Sequence, residues 1–194
     1  MPLKNLKKYN VILGSASPRR KRLLMDIGID FKLKVSRKDE SYPNSLEGAQ
    51  IAEFIAKEKA NTIASELSKN YLLITADTIV LHKNKILHKP KCKEDAIKAL
   101  KDLSGKTHLV ITGVCIKSNE NEIIFSDKTY VSFCNISDQE IMYYIEKYKP
   151  FDKAGSYGIQ EWIGNIAINE IRGSYNNVVG LPTSKLYQYL KRIN

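Results

Sequence analysis

Short apolar runs of strand length alternate with segments of helical periodicity along most of this chain, and few folds satisfy that alternation. Residues 9–13 read as a first strand. Ser17-Pro18 then supplies an N-cap followed by proline at the first helical position, and the helix runs to Ile27 before Gly28 stops it. Residues 31–35 read as a second strand and 37–45 as a polar loop. Across 46–67, Ile51, Phe54, Ile55 and Ile63 recur with alanines between them, the pattern of a long amphipathic helix. An apolar strand at 71–74 leads to Thr75-Ala76-Asp77-Thr78, and residues 79–81 and 85–87 form a hairpin around Lys83-Asn84. Residues 94–103 are helical and close at Gly105. Two strands at 108–117 and 122–134 flank a polar turn, and 137–148 is a helix opened by a Ser137/Glu140 capping box. The last quarter is rich in glycine and ends in a helix after Pro182. Interleaved strands and helices with hairpins among them predict an α/β fold with a mixed sheet flanked by helices. With no repeat and no linker-like segment, residues 1–194 are expected to form a single domain.

Composition narrows the function classes. Apolar residues are 43% and charged ones 27%, a globular balance that excludes a disordered chain. No apolar run reaches the length of a membrane span and no signal peptide stands out, so a cytoplasmic protein that avoids membranes is expected. The net charge of +10 favours anionic partners: nucleic acid, phosphorylated small molecules or a membrane surface. Most of the cations are scattered lysines, the pattern of a solvated surface. Arginine is rare but concentrated at Arg19, Arg20 and Arg22. Cys92, Cys115 and Cys134 are odd in number and lack a CxxC pair, which argues against a disulfide framework and structural zinc. His82, His88 and His108 lack the i,i+4 spacing of a metal-binding helix.

Leu13-Gly14-Ser15-Ala16-Ser17-Pro18-Arg19-Arg20 leaves a strand through small residues and opens a helix with two arginines in its first turn. Free N–H groups at a helix start attract anions, and arginines sit poorly at that positive end unless an anion neutralises them. The segment is neither a Walker A loop nor GxGxxG, and in isolation it also fits a solvated surface loop. Asp77 follows an apolar strand, a rigid mount for a carboxylate that binds metal or activates water, although a lone aspartate there also serves as a turn cap. Asp39-Glu40 offers a second carboxylate. Lys59, among alanines on the long helix, and Lys89, after the hairpin, suit either phosphate contacts or a plain surface. Tyr157-Gly158-Ile159-Gln160 reads as a loop shaped against a ligand, or as ordinary turn chemistry.

As an ordered set these segments resemble the Maf family of nucleoside triphosphate pyrophosphatases. Ser15-Ala16-Ser17-Pro18-Arg19-Arg20 looks like the family's SxSPRR opening. Asp39-Glu40-Ser41, Lys59-Ala60, Ala76-Asp77-Thr78, Lys89-Pro90 and Thr112-Gly113-Val114 match later blocks in order. So do Asp152-Lys153-Ala154-Gly155, Tyr157-Gly158-Ile159-Gln160 and residues 173–182. The resemblance implies an elongated, inosine triphosphatase-like mixed α/β fold with a substrate cleft. It also implies metal-dependent hydrolysis of a nucleoside triphosphate to monophosphate and pyrophosphate. The family's catalytic acidic residue falls on Asp77, and positions tied to substrate choice fall on Arg19, Thr78 and Gln160. Arginine at position 19 points to the dTTP and UTP branch, since the 7-methyl-GTP branch has tryptophan there.

On that reading Arg20, Lys59 and Lys89 contact the phosphates, and Ser15 and Ser17 are neutral donors. Glu40 and Asp77 hold a divalent cation, magnesium or manganese. A homodimer is compatible with it. Two departures stand out: Gly14 replaces the usual alanine, expected to be harmless, and His88 replaces the usual glycine before Lys89-Pro90. A non-catalytic nucleotide-binding regulator of cell division and a basic nucleic-acid-binding module are the alternatives. The second is disfavoured, because no nucleic-acid-binding motif is present.

Overall fold

The computed structural model describes residues 3–35 and 41–193. After a single 3-10 turn at Lys4–Lys8 come β1 (Asn10–Leu13), α1 (Pro18–Asp26), β2 (Lys32–Leu33) and α2 (Ala49–Ala64). The middle of the chain holds β3 (Tyr71–His82), β4 (Lys85–Leu87), α3 (Lys93–Leu103), β5 (Thr107–Lys117) and β6 (Glu122–Phe133). There follow α4 (Asp138–Tyr148), α5 (Trp162–Ala167), β7 (Ile168–Arg172), α6 (Tyr175–Val179) and α7 (Thr183–Leu190). Among the described residues the strands make one seven-stranded sheet in the order β2-β1-β3-β5-β6-β7, with β4 paired to β3. Pairing is parallel between β1 and both β2 and β3, and antiparallel for β3/β4 and β6/β7, so the sheet is mixed as expected.

The chain divides into two compact units. The first comprises Met1–Asp77, Thr112–Asp127 and Gly180–Asn194, and the second Thr78–Ile111 and Lys128–Val179. In the first unit α2 lies on the sheet. Ala52, Ala56 and Ala60, spaced four apart, are fully buried and form a thin seam facing the strands. Ile12, Ile63, Leu73 and Cys115 pack beside that seam. Gly113 of β5 explains the closeness, because a Cβ there would overlap the backbone carbonyl of Ala52. The second unit has its own core, in which Leu100, Leu103, Val131, Phe133 and Ile141 join α3 and α4 to β6. The capping box of α4 is present: the Ser137 hydroxyl accepts from the Glu140 N–H, and the Glu140 carboxylate accepts from the Ser137 N–H at 2.7 Å. No helix among the described residues is long and apolar enough to cross a membrane.

The elements differ from the sequence expectations where polar residues interrupt an apolar pattern. The strand expected at 71–74 continues unbroken to His82, so Asp77 sits mid-strand instead of at a strand end. The second strand shrinks to Lys32–Leu33, and the long helix starts at Ala49, after Gly48 at φ 51°. The glycine-rich last quarter contains α5, β7 and α6, none of which hydrophobic periodicity revealed.

Candidate active site

The first unit brings together most of the residues singled out from sequence. The chain leaves β1 at Leu13, whose register partner is Ile74, and the Gly14 N–H still donates to the Ile74 carbonyl at 2.8 Å. A Cβ on Gly14 would lie 2.6 Å from Thr75 Cγ2 and 2.7 Å from Ile63 Cδ1. Alanine at this position needs both neighbours to shift, so glycine fits the packing of this chain. Ser17 caps α1, its hydroxyl accepting from the Arg20 N–H at 3.4 Å, and Pro18 follows at the first helical position. The buried Ser15 hydroxyl accepts from the Ser17 N–H at 3.2 Å.

Arg20 ties this corner to two distant segments. Its Nε donates to the Gly180 carbonyl at 2.8 Å, and its Nη1 donates to the Ala76 carbonyl at 2.9 Å and to Ser15 Oγ at 3.3 Å. Part of the guanidinium expected on phosphate thus holds the residue next to Asp77 in place. Arg19 is half-buried in the same helical turn.

Asp77 and Lys59 meet through the alternation of a strand against the pitch of a helix. Thr75 and Asp77, two apart on β3, face the same side of the sheet. The Thr75 hydroxyl donates to the Ala56 carbonyl of α2 at 2.6 Å, and three residues further along α2 Lys59 Nζ donates to Asp77 Oδ1 at 2.7 Å. The alanine seam and Gly113 set the helix low enough for this contact. Asp77 is 6% exposed and the Lys59 side chain 15%, so this is a largely buried ion pair. Such pairs contribute little net stability, since desolvation opposes the Coulombic attraction.

Thr78, Lys89 and Gln160 belong to the second unit. Thr78 is half-buried on β3, and His88, Lys89 and Gln160 are exposed. The exposed His88 leaves the consequence of losing glycine there a matter for ligand contacts, not for packing. Glu40, expected as a metal ligand, lies outside the described residues.

Gln160 sits in a turn closed by the Glu161 N–H donating to the Gly158 carbonyl at 3.0 Å. Around it is a buried polar cluster that sequence reasoning missed. Lys153, 8% exposed, donates to Asp152 Oδ1 at 2.7 Å and contacts Glu161 Oε1 at 3.0 Å. The Tyr144 hydroxyl donates to Glu161 Oε2 and accepts from the Gly158 N–H at 3.0 Å. Burial and the neighbouring Glu161 carboxylate push the Tyr144 phenol well above its usual range. The Lys153–Glu161 spacing of eight residues crosses two turns and carries no periodic signal.

Three further groups are shifted by burial. His108, whose Nε2 is 2.7 Å from the Tyr157 hydroxyl, is lowered to about 3 by desolvation and then by His82. The Cys115 thiol is pushed up to about 12, chiefly by desolvation, whereas Cys92 and Cys134 are exposed. Tyr157 is also raised by burial. Among the described residues, no group of three or more His, Cys, Asp or Glu side chains is placed to hold a metal ion.

A corner of small residues and a helix start, bound by arginine to a strand that carries a buried carboxylate, is a frame suited to anion chemistry. The chain belongs to the Maf family: the family model described as Maf-like protein matches residues 10–193. Among curated relatives, the dTTP/UTP pyrophosphatase of Flavobacterium johnsoniae is 50% identical over 185 residues, 95% of each chain. That of Bacteroides fragilis is 50% identical over 192 residues, covering 98% of this chain and all of its own. Porphyromonas gingivalis contributes a protein of the same name, 48% identical and covering 97% of this chain and 96% of its own. A solved nucleoside-triphosphatase/dITP/XTP pyrophosphatase from Mycobacterium abscessus aligns with 63% of this chain and 73% of its own, at a TM-score of 0.41 and 11% identity.

Proposed function

We propose that this protein is a pyrophosphatase that hydrolyses dTTP and UTP to the nucleoside monophosphate and pyrophosphate, acting as one catalytic domain. Full-length relatives of that name at 50% identity support the reaction, and the Lys59–Asp77 pair beside the Ser15–Arg20 corner supports its location. A buried ion pair of little net stabilising value, mounted between rigid elements, is what a reactive carboxylate requires.

Attack at the α-phosphorus adds negative charge to a polyanion, so fixed cations must meet it. Lys59 and Lys89 are assigned to the phosphates, with the α1 N-terminus and the Ser15 and Ser17 hydroxyls as neutral donors. Arg20 has two tasks: Nε and Nη1 hold Gly180 and Ala76, and its charge faces the same anion. Asp77 takes the proton from the attacking water. Lys59 engages Oδ1, so Oδ2 is the oxygen assigned to that water. A magnesium or manganese ion would be held by Asp77 and Glu40, supplying charge neutralisation on the triphosphate and a more acidic water. Arg19, Thr78 and Gln160 are assigned to substrate choice. The Gln160 amide offers both a donor and an acceptor to the acceptor–donor–acceptor edge of uracil or thymine.

Pyrophosphate release from a nucleotide panel, with magnesium or manganese present, tests the proposal. Turnover of dTTP and UTP well above that of CTP and 7-methyl-GTP is the expected result. Nucleotide binding without pyrophosphate release overturns it, as does salt-sensitive binding of DNA or RNA without turnover.

A further inference from the structure

Gln160 is exposed, yet the turn that carries it is anchored at both ends. Residues 158–161 form the turn, with Ile159 pointing into the core at 5% exposure and Gln160 pointing out. A single hydroxyl touches both ends: Tyr144 Oη accepts from the Gly158 N–H at 3.0 Å and donates to the Glu161 carboxylate. The other carboxylate oxygen of Glu161 is held by Lys153 Nζ at 3.0 Å, itself fixed by Asp152 at 2.7 Å. Packing confirms how tight the cradle is. A Cβ on Gly158 would lie 2.7 Å from Glu161 Cδ and 3.0 Å from Lys153 Cε, and one on Gly164 would overlap the Ile159 carbonyl. Glu161 also starts α5, its carbonyl accepting from the Gly164 N–H at 2.9 Å, so the turn is continuous with a helix.

We infer that Tyr144, Glu161 and Lys153 are positioning residues that set nucleobase selectivity by fixing the backbone of the turn that presents Gln160. The inference rests on the reading above that Gln160 contacts the base. A flexible glutamine amide can flip and accept either uracil or cytosine, because reversing its ends exchanges donor and acceptor. Discrimination therefore depends on where the amide is placed against the base and its neighbours, and the buried hydroxyl and ion pair fix the main chain that places it. None of the three needs to touch the substrate. Their loss should raise KM for UTP and relax selectivity, with the chemical step at Asp77 left alone.

The test compares kcat and KM for UTP and CTP in wild type, Tyr144→Phe, Gln160→Ala and the double variant. Tyr144→Phe is expected to cut the UTP-to-CTP ratio of kcat/KM by about tenfold, through KM, the scale of a hydrogen bond lost or misplaced. Added to Gln160→Ala, the same change should lower the ratio no further. General loosening of the fold would instead reduce both nucleotides alike and leave the ratio unchanged. A ratio lowered by Gln160→Ala but untouched by Tyr144→Phe overturns the inference and leaves the function standing. Additive effects in the double variant also overturn it, since Tyr144 would then act elsewhere. An unaltered ratio in Gln160→Ala removes both the base contact and its support. Should Tyr144→Phe not fold, Glu161→Gln, which keeps the side-chain shape and weakens the ion pair, carries the same comparison.

Discussion

Each unit buries a lysine–carboxylate pair, and the two pairs are built for different purposes. Lys59–Asp77 joins a helix to the middle of a strand. Lys153–Glu161 belongs to a larger network that also includes Tyr144, Asp152 and the Gly158 N–H. A connected polar network of this kind rigidifies its surroundings. Asp77 has Lys59 on Oδ1, and on the proposed function its Oδ2 serves the attacking water. The first arrangement suits chemistry and the second suits a scaffold, although the residue types are the same.

The sharpest way to break this contrast is to remove one charge from the first pair. Asp77→Asn keeps the shape and still accepts from Lys59, so the fold should survive. Turnover of dTTP and UTP should fall at least about a hundredfold, on the order of 3 kcal/mol of barrier. Near-normal turnover in steady-state pyrophosphate release would show that the two pairs do not differ in kind. The converse change is Glu161→Ala, which leaves Tyr144 and Lys153 without their shared acceptor. It should cost about 3 kcal/mol in denaturant unfolding, typical of a broken buried pair. In the folded variant, kcat at saturating UTP should stay within about threefold of wild type, a barrier change well under 1 kcal/mol. A loss of kcat comparable to that of Asp77→Asn would place Glu161 among the reacting groups instead.

The same contrast explains what could be read from the sequence. Local signals were reliable: Ser17-Pro18 opens α1, Ser137 and Glu140 cap α4, and Lys83-Asn84 turns the β3–β4 hairpin with both residues at positive φ. Each depends on two to four consecutive residues, and side-chain chemistry acts over that range. The candidate residues of the first unit were legible as short motifs for a similar reason. Their joint geometry was not, because Lys59 reaches Asp77 only through the alanine seam and the low seat of α2 on Gly113. The partial diversion of Arg20 to carbonyls at Ala76 and Gly180 was equally hidden, spanning 56 and 160 residues of sequence. In the second unit the polar cluster beneath Gln160 has no period to detect. Of its members, Asp152, Lys153 and Gly158 fall in family blocks, whereas Tyr144 and Glu161 fall in none.

A smaller effect tests whether buried polar groups in the second unit govern stability. His108 is 2% exposed, its Nε2 bonded to Tyr157 and its ring set edge-on to Phe133. Burial, helped by the neighbouring His82, lowers its pKa from 6.5 to about 3. The unfolded chain therefore binds a proton in this interval that the native protein refuses. Its contribution to stability is intact above pH 6.5 and is lost as the pH falls from there toward 3, at up to about 1.4 kcal/mol per pH unit. Denaturant unfolding at a series of pH values should show this slope, superimposed on that of the acidic residues. In His108→Gln, an uncharged side chain that still offers Tyr157 a polar partner, the slope between pH 6 and 4 should be shallower by about one proton. Equal slopes in the two proteins would mean that His108 is protonated in the folded state. The tyrosine would then be its acceptor, and this part of the second unit would carry a charge like the first.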